Sequence, residues 1–139
     1  MTTSRWRTAL AVCRLLPWFL AFGVLKRRVA LPTLARWAWR RPRNGPPADP
    51  SRIASQVLRT GAIAGAPDRD CLQRSLLLYR ELAAGGLQPV LSVGLERVSG
   101  RLAGHAWVSL DGTVLAEPDC DAARFETVIR FGEGGRPIA

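Results

Sequence analysis

The hydrophobic pattern along this chain changes period near residue 86, from helical spacing to strand alternation. In residues 1–43 apolar residues cluster between single arginines: Ala9–Cys13, then Leu15–Leu25 with Pro17 inside it, then the stretch from Val29 to Trp39. This pattern predicts two short helices broken near Pro32. Four prolines and a glycine in RPRNGPPADP, Arg41 to Pro50, then read as a linker. Ser51–Thr60 predicts a short helix, with Ser51 as cap and Ile53, Val57 and Leu58 as its apolar stripe. Gly61–Asp70 reads as a loop. Cys71–Ala84 carries the clearest helical signal. Leu72, Leu76, Tyr79 and Ala83 share one face, Ser75, Leu78 and Leu82 flank it, Asp70 caps the start and Gly85-Gly86 ends it.

Beyond Gly86 the spacing suits strands. Pro89–Leu95, His105–Leu110, Thr113–Glu117 and Phe125–Phe131 are four candidates, and Asp111-Gly112 between two of them is a strong hairpin signal. The expected fold class is α+β, helices followed by an antiparallel sheet. The expected organisation is a helical arm over 1–43, a Pro-rich linker over 44–50 and a folded body over 51–139.

Charge sharpens that division. The net charge of +9 comes entirely from the first third: residues 1–50 hold ten basic groups and one acid, Asp49, whereas residues 51–139 hold ten of each. Trp6, Trp18, Trp37 and Trp39 lie in the same third. Such an arm suits the domain's own surface, a partner protein, or reversible peripheral contact with a membrane. Nucleic acid is not expected as a partner, because no helix-turn-helix, finger or RNA-binding sheet motif accompanies the charge. The apolar run Leu15–Leu25 is shorter than the ~20 residues that cross a bilayer, and no small-x-small cleavage site follows it. A cytoplasmic chain with optional membrane association is therefore expected, and deletion of residues 1–40 is expected to leave the body folded.

Three cysteines, Cys13, Cys71 and Cys120, exclude a disulfide scaffold, since one thiol must stay unpaired. A single histidine and no Cys-x-x-Cys pair argue against a metal site, and no Walker or dinucleotide glycine motif is present, so no cofactor is expected. Cys71 opens the strongest helix, where unpaired N–H groups favour an anion and make a thiol nucleophilic. His105, the sole histidine, starts a predicted strand and is the natural general base for that thiol. Cys13 reads as core, and Cys120 sits between Asp119 and Asp121, which oppose a thiolate.

A triad needs a third group to hold the imidazole. Asp111 lies at the hairpin turn, about 20 Å of strand from His105, and is better explained as a turn former. A two-residue turn sets His105 opposite Pro118 and turns Glu117 and Asp119 to the other face. A three-residue turn with a bulge brings both carboxylates to the histidine's face. Both residues stay candidates. The backbone N–H of Cys71 is the natural oxyanion donor, with Gln56 as a side-chain candidate. Arg74 is a candidate substrate contact or a solvated position. Trp107 either shields the site or packs on the helix, and Ser75 reads as a small packing residue beneath Cys71.

Over residues 71–117 the chain resembles the transglutaminase-like leader peptidases of lasso-peptide biosynthesis. The resemblance rests on Cys71-Leu72-Gln73-Arg74-Ser75-Leu76 at a helix start, Gly86 at its end, the strand Leu91–Leu95, then Gly104-His105-Ala106-Trp107-Val108 running into Asp111-Gly112. It implies a papain/transglutaminase-like core and a cysteine protease that cuts the leader from a ribosomally made precursor peptide. Cys71 and His105 carry over as the catalytic pair. The family's third residue, normally Asp, aligns with Glu117, a departure that keeps Asp119 in play. The resemblance further implies two partners. One is a separate PqqD-like leader-recognition protein, since residues 1–50 are too few and too apolar to be that module, and the other is an ATP-dependent lasso cyclase. An acyl-transferring enzyme using the same pair, or a non-catalytic scaffold on the same fold, are the rival readings.

Overall fold

The structure, a computed structural model, describes residues 2–65, 71–116 and 122–138. In chain order it contains α1 (Thr2–Leu25), α2 (Leu31–Ala38), α3 (Pro50–Ile63), α4 (Cys71–Ala84), β1 (Val90–Val98), β2 (Arg101–Leu110), β3 (Thr113–Leu115), β4 (Glu126–Phe131) and β5 (Pro137–Ile138). Short 3-10 turns cover Ala122–Arg124 and Glu133–Gly135. The α+β class holds, with helices first and an antiparallel sheet after.

Helix α4 packs against α1, α2 and α3 and against β1 and β2. Enclosure on several sides explains why Gln73 and every residue from Ser75 to Ala84 is buried, not only the predicted face. Its end follows the predicted chemistry. Gly86 adopts φ +84, Gly86 N–H donates to Ala83 and Leu87 N–H to Leu82, which satisfies the last carbonyls. Burial of α4 forces its polar residues to find partners. The Glu81 carboxylate accepts from Arg14 of α1 at 2.9 Å and lies 3.8 Å from Arg43. Arg80 stacks its guanidinium 3.7 Å over the Trp18 ring, and burial together with nearby Arg40 lowers its pKa.

Three expectations for the helices change. The first is one helix of 24 residues running through Arg14 and Pro17, with the break at residues 26–30 and Pro32 in the first turn of α2. Val12 and Leu15 before Pro17, and Phe19 and Phe22 after it, are all buried. Docking on both sides of the proline holds the helix across a residue that lacks an N–H. The cap of α3 is Asp49, whose side chain accepts from Ser51 N–H at 3.0 Å, so Ser51 is inside the helix and not its cap. Lastly, Leu15, Phe19, Phe22, Leu34, Ala35 and Ala38 share one buried cluster with Val57, Leu76, Tyr79, Leu91 and Phe131. Segments on both sides of the Pro-rich stretch build one core, so removing residues 1–40 would open it.

The sheet runs in the order β3-β2-β1-β4-β5, all neighbours antiparallel, with one strand more than the four expected. Two of the hairpins are tight. Ser99 and Gly100 turn β1 into β2, and Asp111 and Gly112 turn β2 into β3, each pair with positive φ, as two-residue primed turns require. Leu91 pairs with Val108 and with Phe131, and these three face α4 and the core. Tyr79 crosses from α4 to the far end of the sheet, where its hydroxyl donates to the Gly132 carbonyl. Burial pushes its pKa up to about 12, against a smaller opposing pull from the Gly135 backbone.

Candidate active site

Cys71 is the first residue of α4 and half-buried. One turn on, the buried Ser75 hydroxyl donates to the Ala106 carbonyl at 3.0 Å. This bond is possible because β3 pairs with β2 only from Val108 to Leu110 among the described residues, which leaves the earlier part of that edge to α4. Ser75 is thus a tether between helix and strand, beyond the packing role its size suggests. The first turn of α4 is fixed beside the residue that follows His105.

His105 lies within β2, which starts at Arg101 rather than at the histidine, and it pairs with Gly94 of β1. Alternation puts Ala106 and Val108 on the α4 side and His105 and Trp107 on the other. There the His105 ring stacks on Phe125 at 4.9 Å between centroids and on Trp107 at 5.9 Å. Trp107 is buried and meets Phe125 at 6.3 Å. The tryptophan therefore packs on the histidine and Phe125, not on the helix. An edge of aromatic rings along an imidazole restricts its rotation and reduces its contact with water.

Gly94 makes this arrangement possible. A Cβ there would lie 2.9 Å from Trp107 Cη2, 2.9 Å from the Glu126 carbonyl and 3.0 Å from Phe125 Cβ. The β1–β4 register shifts between Val93 and Gly94, so the glycine also marks a bulge. Neither Gly94 nor Phe125 stands out as a site residue in the sequence. A glycine in the interior of a predicted strand was the available signal.

The remaining candidates fall in different places. Arg74 is half-buried beside Ser75 on α4. Gln56 is not near Cys71. It lines one cleft with Thr3, Arg7 and Thr8 and another with Glu81 and Gly85, at the opposite end of α4. Ten residues of helix separate Cys71 from Glu81, about 15 Å, well beyond the reach of a glutamine side chain. Gln56 therefore sits with the clefts beside Glu81 and Arg7 and not with the first turn of α4. The residue near the start of α4 with a buried amide is Gln73, and it is occupied: its Nε2 donates to the Phe19 carbonyl at 2.5 Å and its Oε1 accepts from Lys26 at 3.4 Å. The turn at Asp111-Gly112 has two residues, with Leu110 paired to Thr113, so the three-residue alternative does not form. Among the described residues the ladder runs to Leu115, and Ala116 takes φ +58, which breaks the alternation there. Glu117, Asp119 and Cys120 lie outside the described residues, as does the predicted cap Asp70. Among the described residues no group of three or more His, Cys, Asp and Glu side chains gathers to hold a metal ion.

The first turn of the helix that Cys71 opens is thus tethered through Ser75 to the strand of the sole histidine, while the His105 ring itself lies on the other face of that strand, against Trp107 and Phe125. Comparison with curated proteins and with solved structures returned no match. Residues 10–130 match the Transglutaminase-like superfamily over α1, the helix of Cys71 and the strand of His105, and to that superfamily the chain belongs.

Proposed function

We propose that this protein is a cysteine peptidase that hydrolyses the leader from a ribosomally made precursor peptide of the lasso type. The observation that supports it best is the Ser75–Ala106 hydrogen bond, which ties the helix start at Cys71 to the strand of His105. In this reading Cys71 Sγ attacks the carbonyl of the last leader residue while His105 takes the thiol proton. The tetrahedral oxyanion is met by the Cys71 backbone N–H, one of the unpaired donors of the first turn. His105 then gives its proton to the departing amine of the core peptide. Water attacks the thioester and releases the leader acid, and the thiol is restored. Glu117 or Asp119 orients the imidazole. Trp107 and Phe125 restrict the rotation of the ring, and Arg74 is the proposed contact for the bound peptide. A separate PqqD-like leader-binding protein delivers the precursor, and an ATP-dependent cyclase takes the released core.

The experiment is mass spectrometry of a leader-plus-core precursor incubated with this protein and its leader-binding partner, wild type beside Cys71→Ala. The expected result is one cut at the leader–core junction, with a water added, that disappears in the variant. Equal cutting by both proteins removes Cys71 from the mechanism. A product carrying an amine acceptor in place of water indicates acyl transfer. Failure of both proteins to cut, with the partner shown to bind leader, indicates a scaffold.

A further inference from the structure

Helix α1 is apolar on two opposite sides. Val12, Leu15, Phe19 and Phe22 follow a three-four spacing and are buried. Trp6, Leu10, Cys13, Pro17, Leu20 and Val24 follow the same spacing on the reverse side and are exposed, Leu10 by 66%, Leu20 by 54% and Val24 by 60%. No charged residue interrupts this second stripe, which runs about 27 Å at 1.5 Å per residue. Cations bracket it. Arg5 and Arg7 stand at one end and Lys26, Arg27 and Arg28 at the other, and no acid occurs before Asp49. Beside Arg7, a cleft of about 480 Å³ between α1 and α3 is lined also by Arg52 and Arg59 and by no carboxylate. Trp6 and, on α2, Trp37 are 71% and 57% exposed.

By length and composition α1 could cross a bilayer, but Leu15, Phe19 and Phe22, each 1% exposed, hold it in the core. A helix anchored in this way has only its outer stripe to offer. A protein partner would need polar groups that set its register, and between Arg7 and Lys26 this stripe presents none. An apolar strip with cationic ends and exposed tryptophans instead matches the boundary between acyl chains and anionic headgroups.

We propose that α1 lies flat on an anionic bilayer, its Trp6–Val24 stripe in the acyl boundary and the arginines at both ends on lipid phosphates. The membrane thereby covers the side of α1 opposite the α1–α4 contact.

The test is co-sedimentation of the full-length protein with vesicles of phosphatidylglycerol and phosphatidylcholine, compared with phosphatidylcholine alone, at low and high salt. The expected result is binding at least about tenfold tighter to the anionic vesicles and weakened by salt. Leu10→Glu with Leu20→Glu should lower it about tenfold or more, and Arg27→Gln with Arg28→Gln by a similar factor. All four positions are exposed, so far-UV circular dichroism should be unchanged. Absence of sedimentation would overturn the proposal and leave the stripe to a protein partner. Equal binding by the Leu10→Glu, Leu20→Glu variant would overturn it in favour of charge alone. A dimer without lipid that the same variant converts to monomer would overturn it in favour of a second copy of the chain.

Discussion

The Ser75 hydroxyl and the Ala106 carbonyl, 3.0 Å apart and buried, join the first turn of the Cys71 helix to the strand of His105. Ser75→Ala leaves that carbonyl without its donor, at a cost of about 1–3 kcal/mol. Urea unfolding should report this loss. If the proposed mechanism holds, precursor cleavage should fall further than stability does, because the helix start and the strand would no longer be held in register. Unchanged cleavage in a destabilised variant would show that the tether serves the fold alone.

Gly94 has no room for a side chain, with Trp107 Cη2 and the Glu126 carbonyl both 2.9 Å from where a Cβ would sit. The carbonyl is backbone and cannot swing aside. Gly94→Ala should therefore cost about 1–3 kcal/mol and displace Trp107 from His105 and Phe125. Near-UV circular dichroism would detect the second effect. A variant with native near-UV signal and native stability would refute this account of the glycine.

Glu81 is buried while Arg14 and Arg43, its two partners, are about half exposed. Removing both arginines leaves a buried carboxylate unpaired, whereas removing the carboxylate returns two arginines to water. Arg14→Ala with Arg43→Ala should thus destabilise by about 3–5 kcal/mol, and Glu81→Gln by less, on the order of 1–2 kcal/mol. Chemical denaturation of the two proteins tests the order, and the reverse order would contradict it.

Tyr79 is the chain's one tyrosine, so its titration can be followed alone by ultraviolet absorbance. Its pKa rises from 10.0 to about 12 on folding because burial disfavours the phenolate. Below pH 10 the phenol is protonated in both states and its contribution to stability is complete. Between pH 10 and 12 the unfolded chain ionises first, and stability is lost, by roughly 2–3 kcal/mol at 1.36 kcal/mol per unit. Tyr79→Phe should flatten the tyrosine part of that decline. It should also cost about 1–2 kcal/mol near neutral pH, where the Gly132 carbonyl loses its donor.

Gly135 approaches α2 so closely that a Cβ would lie 2.5 Å from Arg36 Cα and 2.6 Å from the Ala35 carbonyl, at a φ of +71. Any side chain there must push α2 off the end of the sheet. Gly135→Ala should lower the thermal midpoint more than Gly134→Ala, whose Cβ would meet only the Arg136 side chain. Equal midpoints would mean that α2 yields without cost.

Features governed by neighbours in the chain were legible from residue order. The bounds of α4 at Cys71 and Ala84, the glycine that ends it, the Asp111-Gly112 turn and the α+β class all follow from local φ preferences, hydrogen-bond supply and apolar period. Cys71 at a helix start belongs with them. Other features depend on what each element meets across space. Gln56 sits at the wrong end of α4 because α1 and α3 pack along that helix at the level of Glu81, and Trp107 covers His105 because Gly94 opens a floor beneath it. Pro17 stays inside a helix because Phe19 and Phe22 dock beyond it, and the whole of α4 is buried because sheet and helices close on it from several sides. Residue order alone thus determined α4, the Asp111-Gly112 turn, the fold class and the two residues that carry the proposed chemistry. Only the tertiary structure decided which faces those elements bury, since burial is set by packing between segments distant in the chain.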